Sequence, residues 1–314
     1  MKAGQVLVIL GPTAVGKSAV AVELATKTAG EIISADSRAF FCGLDIVTDK
    51  PSPSDRRGIT HHLIDSVDLT GKYDAMAFRN DVERLIPEIQ SRGHLPIIVG
   101  GGTLYLGAIL RGIFTGPSAD PALREKLLSE PLDELYARLQ EVDPEAAERI
   151  HVHDRLRIVR AIEVHTITGQ AISDLRKEAK PLPLDFAVFG LRMEREAHRR
   201  AIAERVRKML TKGLIDEVRS LRNQGLTPQH QAHRTIGIPE TAAFLDGEIS
   251  QKELEERLIT NTWGLARRQT AWFKRDSGVT WIDATGRSPR EVAKEIGRLS
   301  DLVIERFGDS HEER

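Results

Sequence analysis

"GPTAVGKS", residues 11–18, is the stretch that decides the fold. It matches the phosphate-binding pattern G-x-x-x-x-G-K-[ST]. An apolar run, "VLVIL" (6–10), leads into it, and a helical pattern, "SAVAVELATK" (18–27), leads out. A strand, a glycine-rich turn and a helix together direct backbone N–H groups at an anion. The stretch therefore predicts a P-loop, in which Lys17 contacts phosphate oxygens and the Ser18 hydroxyl suits Mg²⁺.

Composition limits the classes of protein that remain. The chain has 314 residues, enough for a large core and two domains, and its net charge is −1. The lone cysteine, Cys42, excludes a disulfide framework and a cysteine-rich zinc site. No apolar run approaches the ~18 residues of a membrane span. A role in nucleic-acid binding would have to rest on local clusters of basic residues.

Short apolar runs predict the strands of the core. Helical patterns at Lys17–Thr28 and Ala75–Ser91 separate the first three runs. Strands that alternate with helices indicate a parallel sheet with ligands at the carboxyl ends of its strands. We therefore predict an α/β fold with a P-loop NTPase-like parallel sheet. The predicted strands are Val6–Leu10, Glu31–Ala35, Pro96–Val99, Phe186–Leu191 and Val279–Ile282.

Polar loops follow three of these strands and are expected to converge on one crevice. They are Gly11–Ser18, Asp36–Ser37 and Gly100–Thr103. Asp36 could hold Mg²⁺, act as a base on a bound acceptor, or cap the next turn. His61 and His62 are weak candidates for a metal site, because adjacent residues of an extended segment point to opposite faces.

The stretch 119–181 interrupts the alternation of strands and helices. It has no strand-like run, and helix-start signals recur, such as Asp143-Pro144 and Asp154. We predict a helical insertion domain at 119–181 within a core formed by 1–118 and 182–314.

Two long amphipathic helices are expected near the C-terminus. The first, over 199–222, carries Arg205 at the edge of its apolar stripe. The second opens with a capping box, Ser250 with Glu253, and carries Gln269 on its apolar line. A buried glutamine there needs hydrogen-bond partners, either backbone groups or a substrate.

Basic residues cluster in two places. In "DRLRIVRAIEV" (154–164) no acid separates Arg155 from Arg160, which favours a polyanion-binding patch over a solvated helix face. Near the C-terminus, Arg267 and Arg268 precede two aromatic residues, Trp272 and Phe273. Cations beside aromatic rings suit RNA, although those rings could also belong to the core.

These motifs, in this order, resemble the tRNA dimethylallyltransferases, also called tRNA isopentenyltransferases. The likeness runs from about Leu7 to Asp283. The matching stretches are "GPTAVGKS", "EIISADS", "GLDI" with "TDKP", "HHLID", "LPIIVGGG" with "LY", "DPEAAERIH", "RAIEV" with "TG", "RV" with "GLIDEV", "TIG" with "FLDGEIS", and "RRQ" with "WFKRD".

The resemblance implies transfer of a dimethylallyl group from its diphosphate to N6 of the tRNA adenine 3′ of the anticodon (adenine-37). The implied catalytic residues are Asp36 as base, with Lys17 and Arg205 on the leaving group. Mg²⁺ is implied as cofactor, held by Ser18. The implied diphosphate-binding residues are Gly11, Pro12, Thr13, Ala14, Val15, Gly16, Lys17, Ser18, Gly102 and Thr103.

The implied partners are dimethylallyl diphosphate and the tRNA anticodon stem-loop, which the insertion domain would contact. We expect a cytoplasmic monomer without membrane association. The implied tRNA-binding residues are Asp36, Ser37, Arg38, Ala39, Gly102, Arg124, Arg157, Arg160, Arg234, Trp263, Arg267 and Arg268.

The chain departs from the family's usual motifs mainly at the acceptor side. Ala39 stands where the family has glutamine, and Gly102 stands where threonine is usual. Other departures are Arg234, Ile238, Trp263 and Leu265. Three alternatives remain open: a tRNA- or diphosphate-binding paralogue without transferase activity, a P-loop nucleotide kinase, and a prenyltransferase acting on free adenylate.

Overall fold

The computed structural model describes residues 5–300, which divide into two compact units. Gly107–Leu182 form one, which we call the helical unit. The described residues on either side, 5–106 and 183–300, form the other, which we call the sheet unit. The helical unit starts earlier than the insertion domain predicted at 119–181 and ends one residue later.

Within residues 5–300, six strands form one sheet in the order β3-β2-β4-β1-β5-β6. Every neighbouring pair is parallel. The predicted α/β class and parallel sheet are therefore confirmed. The sequence reading missed β3, because an edge strand of two polar residues has no apolar run. The strands are β1 (Gln5–Leu10), β2 (Gly30–Ser34), β3 (His61–His62), β4 (Leu95–Gly100), β5 (Asp185–Arg192) and β6 (Thr280–Asp283).

Helices make up most of the remaining described chain. The predicted bounds of α1 and α3 match the structure. The helices within residues 5–300 are α1 (Lys17–Thr28), α2 (Pro53–Arg56), α3 (Ala75–Ser91), α4 (Thr103–Leu110), α5 (Pro121–Ser129), α6 (Leu132–Val142), α7 (Pro144–Arg149), α8 (Arg155–Thr168), α9 (Ile172–Lys177), α10 (Arg195–Thr211), α11 (Leu214–Asn223), α12 (Ile238–Leu245), α13 (Gln251–Phe273) and α14 (Pro289–Leu299).

The order of the strands explains why the polar loops meet. After Gln5, every residue of β1 is apolar and buried, as expected for a central parallel strand. β4 lies beside β1, and β2 lies beside β4. Because parallel strands end at the same edge, the loops after β1, β2 and β4 lie side by side there.

The amphipathic stretch predicted as a single helix over 199–222 is two helices, so that prediction is wrong. The chain breaks between α10 and α11 at Gly213, whose φ is +101°. The apolar spacing continues across the break because Leu214 and Val218 pack into the same core as Val206. Periodicity alone therefore could not reveal the turn.

The helical unit has its own core. Its strandless character agrees with the sequence: no strand occurs within 107–182, a range that is described throughout. Asp143 caps α7 and Asp154 caps α8, as predicted, and Gly169 follows the last residue of α8 as its C-cap. Leu135 and Ile158 are among the residues that form this core.

None of the helices within 5–300 is long and apolar enough to cross a membrane.

Candidate active site

The P-loop joins β1 to α1 through a constrained turn. Gly11 has a φ of +148°, and a Cβ there would lie 2.6 Å from the Leu191 carbonyl oxygen, so the position requires glycine. Ala14 takes a left-handed φ of +62°, which is uncommon for a residue with a side chain. The turn leads to Ser18, exposed in the first turn of α1. Backbone N–H groups and the helix dipole make this an anion-binding position.

Lys17 is the cation of the P-loop. Its Nζ donates to the Pro12 carbonyl oxygen at 2.6 Å. Burial lowers the pKa of Lys17 to about 8, while the Asp36 carboxylate opposes the shift and the Arg205 guanidinium adds to it. All three predicted catalytic side chains thus interact electrostatically. Because the pKa stays above 7, most of the ammonium remains charged at neutral pH.

Thr13 is held by side chains from two C-terminal helices. Its N–H donates to Gln269 Oε1 at 2.9 Å, and its hydroxyl accepts from Arg205 Nη1 at 2.7 Å. Its carbonyl oxygen accepts from His198 Nε2 at 2.8 Å. Since the Thr13 N–H is bonded to Gln269, it is not available to a bound anion. Since the Arg205 guanidinium can only donate, the proton of the Thr13 hydroxyl stays free to donate elsewhere.

A cavity of about 410 Å³, which we call the P-loop cavity, lies in front of this loop. Polar groups of the P-loop face one side, and Val22, Ile32 and Val99 provide an apolar wall. The candidate site residues that line it are Thr13, Ala14, Gly16, Lys17, Ser18, Asp36, Ala39 and Arg205.

A second cavity of about 490 Å³, which we call the arginine cavity, adjoins the first. The two share Thr13, Asp36, Arg205 and Gln269 on their walls. A small molecule in one cavity could therefore contact a group in the other at their common wall. The other candidate site residues that line it are Ser37, Arg38, Gly102, Thr103, Arg234 and Arg268.

Asp36 lies on the wall common to both cavities. Its Oδ1 accepts from the Arg38 N–H at 2.9 Å, so the carboxylate also caps its own turn. Capping of the turn, one of the three interpretations from the sequence, is therefore compatible with a position on both cavities. The Arg38 guanidinium donates to the Gln231 carbonyl oxygen at 2.9 Å, and burial lowers its pKa.

The loop after β2 carries further polar residues to the P-loop cavity. Arg205 Nη2 donates to the Thr48 carbonyl oxygen at 2.9 Å, and its Nε lies 3.4 Å from an Asp49 carboxylate oxygen. Glu217 on α11 accepts N–H bonds from residues 45, 46 and 47 at 2.6–3.0 Å. Sequence patterns could not reveal this anchor, because an acid in the first turn of a helix is common.

The departures at positions 39 and 102 have structural consequences. Gly102 N–H donates to the Ala35 carbonyl oxygen at 3.1 Å, and a Cβ at Gly102 would lie 2.5 Å from that oxygen. A threonine at 102 would therefore require the backbone to move. Thr103, the next residue, lines the arginine cavity. Ala39 is buried against the P-loop cavity and offers it no hydrogen-bonding side chain.

The C-terminal basic and aromatic residues separate into exposed and buried groups. Arg267 and Arg268 are exposed on α13, whereas Phe273 is fully buried in the core. The Trp263 ring packs edge-on against His198, with centroids 5.6 Å apart, and the Arg199 guanidinium lies 5.4 Å from its centroid. Trp263 therefore has partners within the protein that its predicted role in tRNA binding did not foresee.

The arginines of the helical unit also have partners. Arg124 donates to both oxygens of Glu163 at 2.9 Å, and Arg160 donates to one of them at 2.6 Å. Burial disfavours the Glu163 carboxylate, but these hydrogen bonds outweigh it and lower its pKa. Arg157 pairs with Asp154 at 2.7 Å and keeps 72% of its side chain exposed. Of the three, Arg157 is the one best placed to meet a polyanion.

A second buried carboxylate lies at the start of β2. Glu31 accepts from Arg92 through both oxygens at 2.8 Å. It also bonds His62 Nε2 at 2.6 Å and His94 Nδ1 at 2.7 Å. The Arg92 hydrogen bonds are the main cause that lowers the pKa of Glu31 to about 2. His62 therefore belongs to an ionic cluster inside the sheet unit.

Comparison with known proteins identifies relatives over nearly the whole chain. tRNA dimethylallyltransferase of Pelotomaculum thermopropionicum is 41% identical over 304 residues, which are 95% of this chain and 97% of that one. That of Geobacter sulfurreducens is 40% identical over 310 residues, 97% of each chain.

Solved structures also match this chain over nearly its whole length. Full-length tRNA isopentenylpyrophosphate transferase from Bacillus halodurans matches with a TM-score of 0.72 and 34% identity, covering 97% of each chain. A eukaryotic dimethylallyltransferase acting on tRNA matches with a TM-score of 0.81 and 27% identity, over 97% of this chain and 81% of that one. The family model for IPP transferase matches residues 39–276. With most of its length inside that match, the chain belongs to the IPP transferase family.

Proposed function

We propose that this chain transfers the dimethylallyl group of dimethylallyl diphosphate to N6 of the tRNA adenine 3′ of the anticodon, adenine-37, and releases diphosphate. The observation that carries the proposal is the common wall of two cavities. One cavity holds the P-loop and Lys17, and the other holds three arginines besides the shared Arg205, while Asp36 borders both. A reaction between an anionic donor and a nucleic-acid acceptor needs such an arrangement.

The leaving group would be stabilised in the P-loop cavity. As the allylic C–O bond breaks, negative charge grows on the diphosphate and positive charge on the allylic carbon. Lys17 and Arg205 would stabilise the diphosphate together with the amides that follow Thr13. The proton of the Thr13 hydroxyl can add a further donor. The apolar wall of Val22, Ile32 and Val99 suits the five-carbon group.

Asp36 would serve the acceptor. The adenine amine is a poor nucleophile because its lone pair is delocalised into the ring. As N6 bonds to the allylic carbon, it loses a proton, which the Asp36 carboxylate would take. The adenine must first leave its stack, at a cost of about a few kcal/mol. Arg38, Arg234 and Arg268 on the arginine cavity would contact tRNA phosphates or the base.

Mg²⁺ fits the donor set beside the P-loop. The exposed Ser18 hydroxyl is a hard oxygen donor in the first turn of α1, and it would hold the ion with diphosphate oxygens. Bound there, Mg²⁺ would supply positive charge against the leaving group. The protein would act as a cytoplasmic monomer on the tRNA anticodon stem-loop. Arg157, on the helical unit, would contribute phosphate contacts.

The test is incubation of the protein with labelled dimethylallyl diphosphate and unmodified tRNA, followed by nucleoside analysis. We expect label in N6-dimethylallyladenosine from position 37, and none when tRNA with guanosine at 37 is used. Asp36→Asn should lower transfer about a hundredfold or more. Asp216→Asn, at a carboxylate that is 79% exposed, is the matched control.

Other outcomes would select among the alternatives. Label on free adenylate would indicate a small-molecule prenyltransferase. Phosphate transfer from ATP without prenyl transfer would indicate a nucleotide kinase. Tight binding of tRNA and diphosphate without product would indicate a paralogue that binds but does not catalyse.

A further inference from the structure

Three side chains hold Thr13 by separate polar groups. Gln269 accepts from its N–H, Arg205 donates to its hydroxyl, and His198 donates to its carbonyl oxygen. Thr13 itself is a turn residue that no regular helix or strand contains. Its backbone conformation is therefore set by α10 and α13 rather than by local secondary structure.

Gln269 connects two phosphate-facing loops. Its Oε1 accepts from the Thr13 N–H, and its Nε2 donates to the Gly101 carbonyl oxygen at 2.9 Å. The side-chain amide of Gln269 thus bridges the two loops. Its oxygen accepts from the loop after β1, and its nitrogen donates to the loop after β4. Its side chain is 9% exposed, so water competes poorly for either bond.

Besides its hydrogen bond to Thr13, the His198 ring contacts Trp263. Burial lowers the pKa of His198, so the ring is neutral at neutral pH, and its Nε2 must carry the proton that Thr13 accepts. The Trp263 ring packs edge-on against the imidazole. His198 is itself buried, so solvent has little access to its bond with Thr13.

Thr13 immediately precedes Ala14, the strained residue of the P-loop. Ala14 adopts a left-handed φ of +62°. Such a conformation persists in a residue with a Cβ when the surrounding structure holds it. Fixing the N–H and carbonyl of residue 13 fixes both peptide planes that lead into Ala14. The anion-facing amides of the loop begin at this point.

We propose that His198 and Gln269 are positioning residues of the diphosphate site, which hold the P-loop in its binding conformation through Thr13. The proposal rests on the proposed function for the identity of the anion. Neither side chain acts on the reacting atoms. Their effect should appear in affinity for the diphosphate group, while the affinity for tRNA should not change.

The test compares variants that remove these bonds with variants that keep them. His198→Leu removes the donor, whereas His198→Gln keeps an N–H near the same place. Gln269→Met keeps the length of the side chain and removes both bonds. Thr270→Val is the matched control on α13, because the Thr270 hydroxyl bonds to its own helix at Ala266.

Calorimetry with inorganic diphosphate and Mg²⁺, and steady-state kinetics with both substrates, are the measurements. His198→Leu should raise the diphosphate Kd and the KM for dimethylallyl diphosphate about threefold to tenfold, and Gln269→Met about tenfold or more. The KM for tRNA should stay unchanged. His198→Gln and Thr270→Val should match the parent within about twofold. Urea unfolding of each variant separates this effect from general destabilisation.

Parent-like diphosphate affinity in both His198→Leu and Gln269→Met would overturn the proposal, as would equal losses in His198→Gln and His198→Leu. If Gln269→Met does not fold, the two His198 variants decide. Failure of the parent to bind diphosphate would instead contradict the proposed function. Parent binding without transfer leaves the diphosphate measurements valid for the positioning residues.

Discussion

Raising the pH through the pKa of Lys17 is expected to weaken diphosphate binding. The pKa is about 8 in the folded protein, compared with an ordinary value of 10.5, chiefly because the ammonium is buried. Below about pH 8 the ammonium is charged and attracts the anion. Above it the proton is lost unless the anion pulls the pKa back up. The protonated fraction falls about tenfold between about pH 7 and about pH 9.

The diphosphate affinity of the parent should therefore fall by up to about tenfold over that interval. Calorimetric titration with diphosphate in excess Mg²⁺, in buffers of different ionisation enthalpy, measures both the affinity and the proton uptake. Lys17→Arg is the control, because guanidinium stays charged throughout the range. Its affinity differs in absolute value, so the comparison uses the slope of log Kd against pH. Equal slopes in parent and variant would refute the reasoning.

Five further substitutions test separate parts of the structure. Arg157→Glu should weaken tRNA binding and reduce the slope of log affinity against log salt concentration by about one. Arg160→Glu should lower the free energy of unfolding by about 3 kcal/mol, because it leaves the buried Glu163 carboxylate facing a second acid. Because the pKa of Glu31 is lowered to about 2, its stabilisation is complete above the ordinary value of 4.5 and is lost as pH falls from 4.5 to 2. Glu31→Gln should abolish this pH dependence and lower neutral-pH stability by at most about 3 kcal/mol. Ala39→Gln should raise kcat/KM for transfer about tenfold, whereas Gly102→Thr should destabilise the protein.

The following outcomes would contradict these predictions. Parent-like tRNA affinity in Arg157→Glu would make Arg157 a solvated surface residue, and unchanged urea unfolding of Arg160→Glu would remove the structural role of that ion pair. Acid unfolding curves that coincide for Glu31→Gln and the parent would contradict the Glu31 assignment. If Gly102→Thr is as stable as the parent, the loop after β2 can move at no cost.

Local signals in the sequence predicted the parts of the site that are built locally. The P-loop and α1 follow from glycines, a lysine and a helical pattern within a few residues of one another. The position of Asp36 on the cavity wall follows from the rule that parallel strands end at one edge of the sheet. The break at Gly213 was missed, because both helices share one apolar core.

Local sequence patterns could not predict contacts between residues that are far apart in the chain. Gln269 was recognised as a polar residue in need of partners, but nothing in the sequence identified Thr13 and Gly101 as those partners. The stretch from Arg155 to Arg160 contains no acid, yet Glu163 one turn later pairs with Arg160. A count of charges within a short window cannot predict which of them the fold neutralises.

The bonds that hold Thr13 also have a consequence for the order in which the chain is made. Its three side-chain partners lie 185, 192 and 256 residues further along the sequence. In a chain emerging from the ribosome, the P-loop is therefore made well before its partners on α10 and α13. The side-chain contacts to Thr13 are therefore complete only after residue 269 has been made. A product that ends after Ser18 but before Gln269 contains the entire P-loop motif and still lacks the Gln269 bond to Thr13.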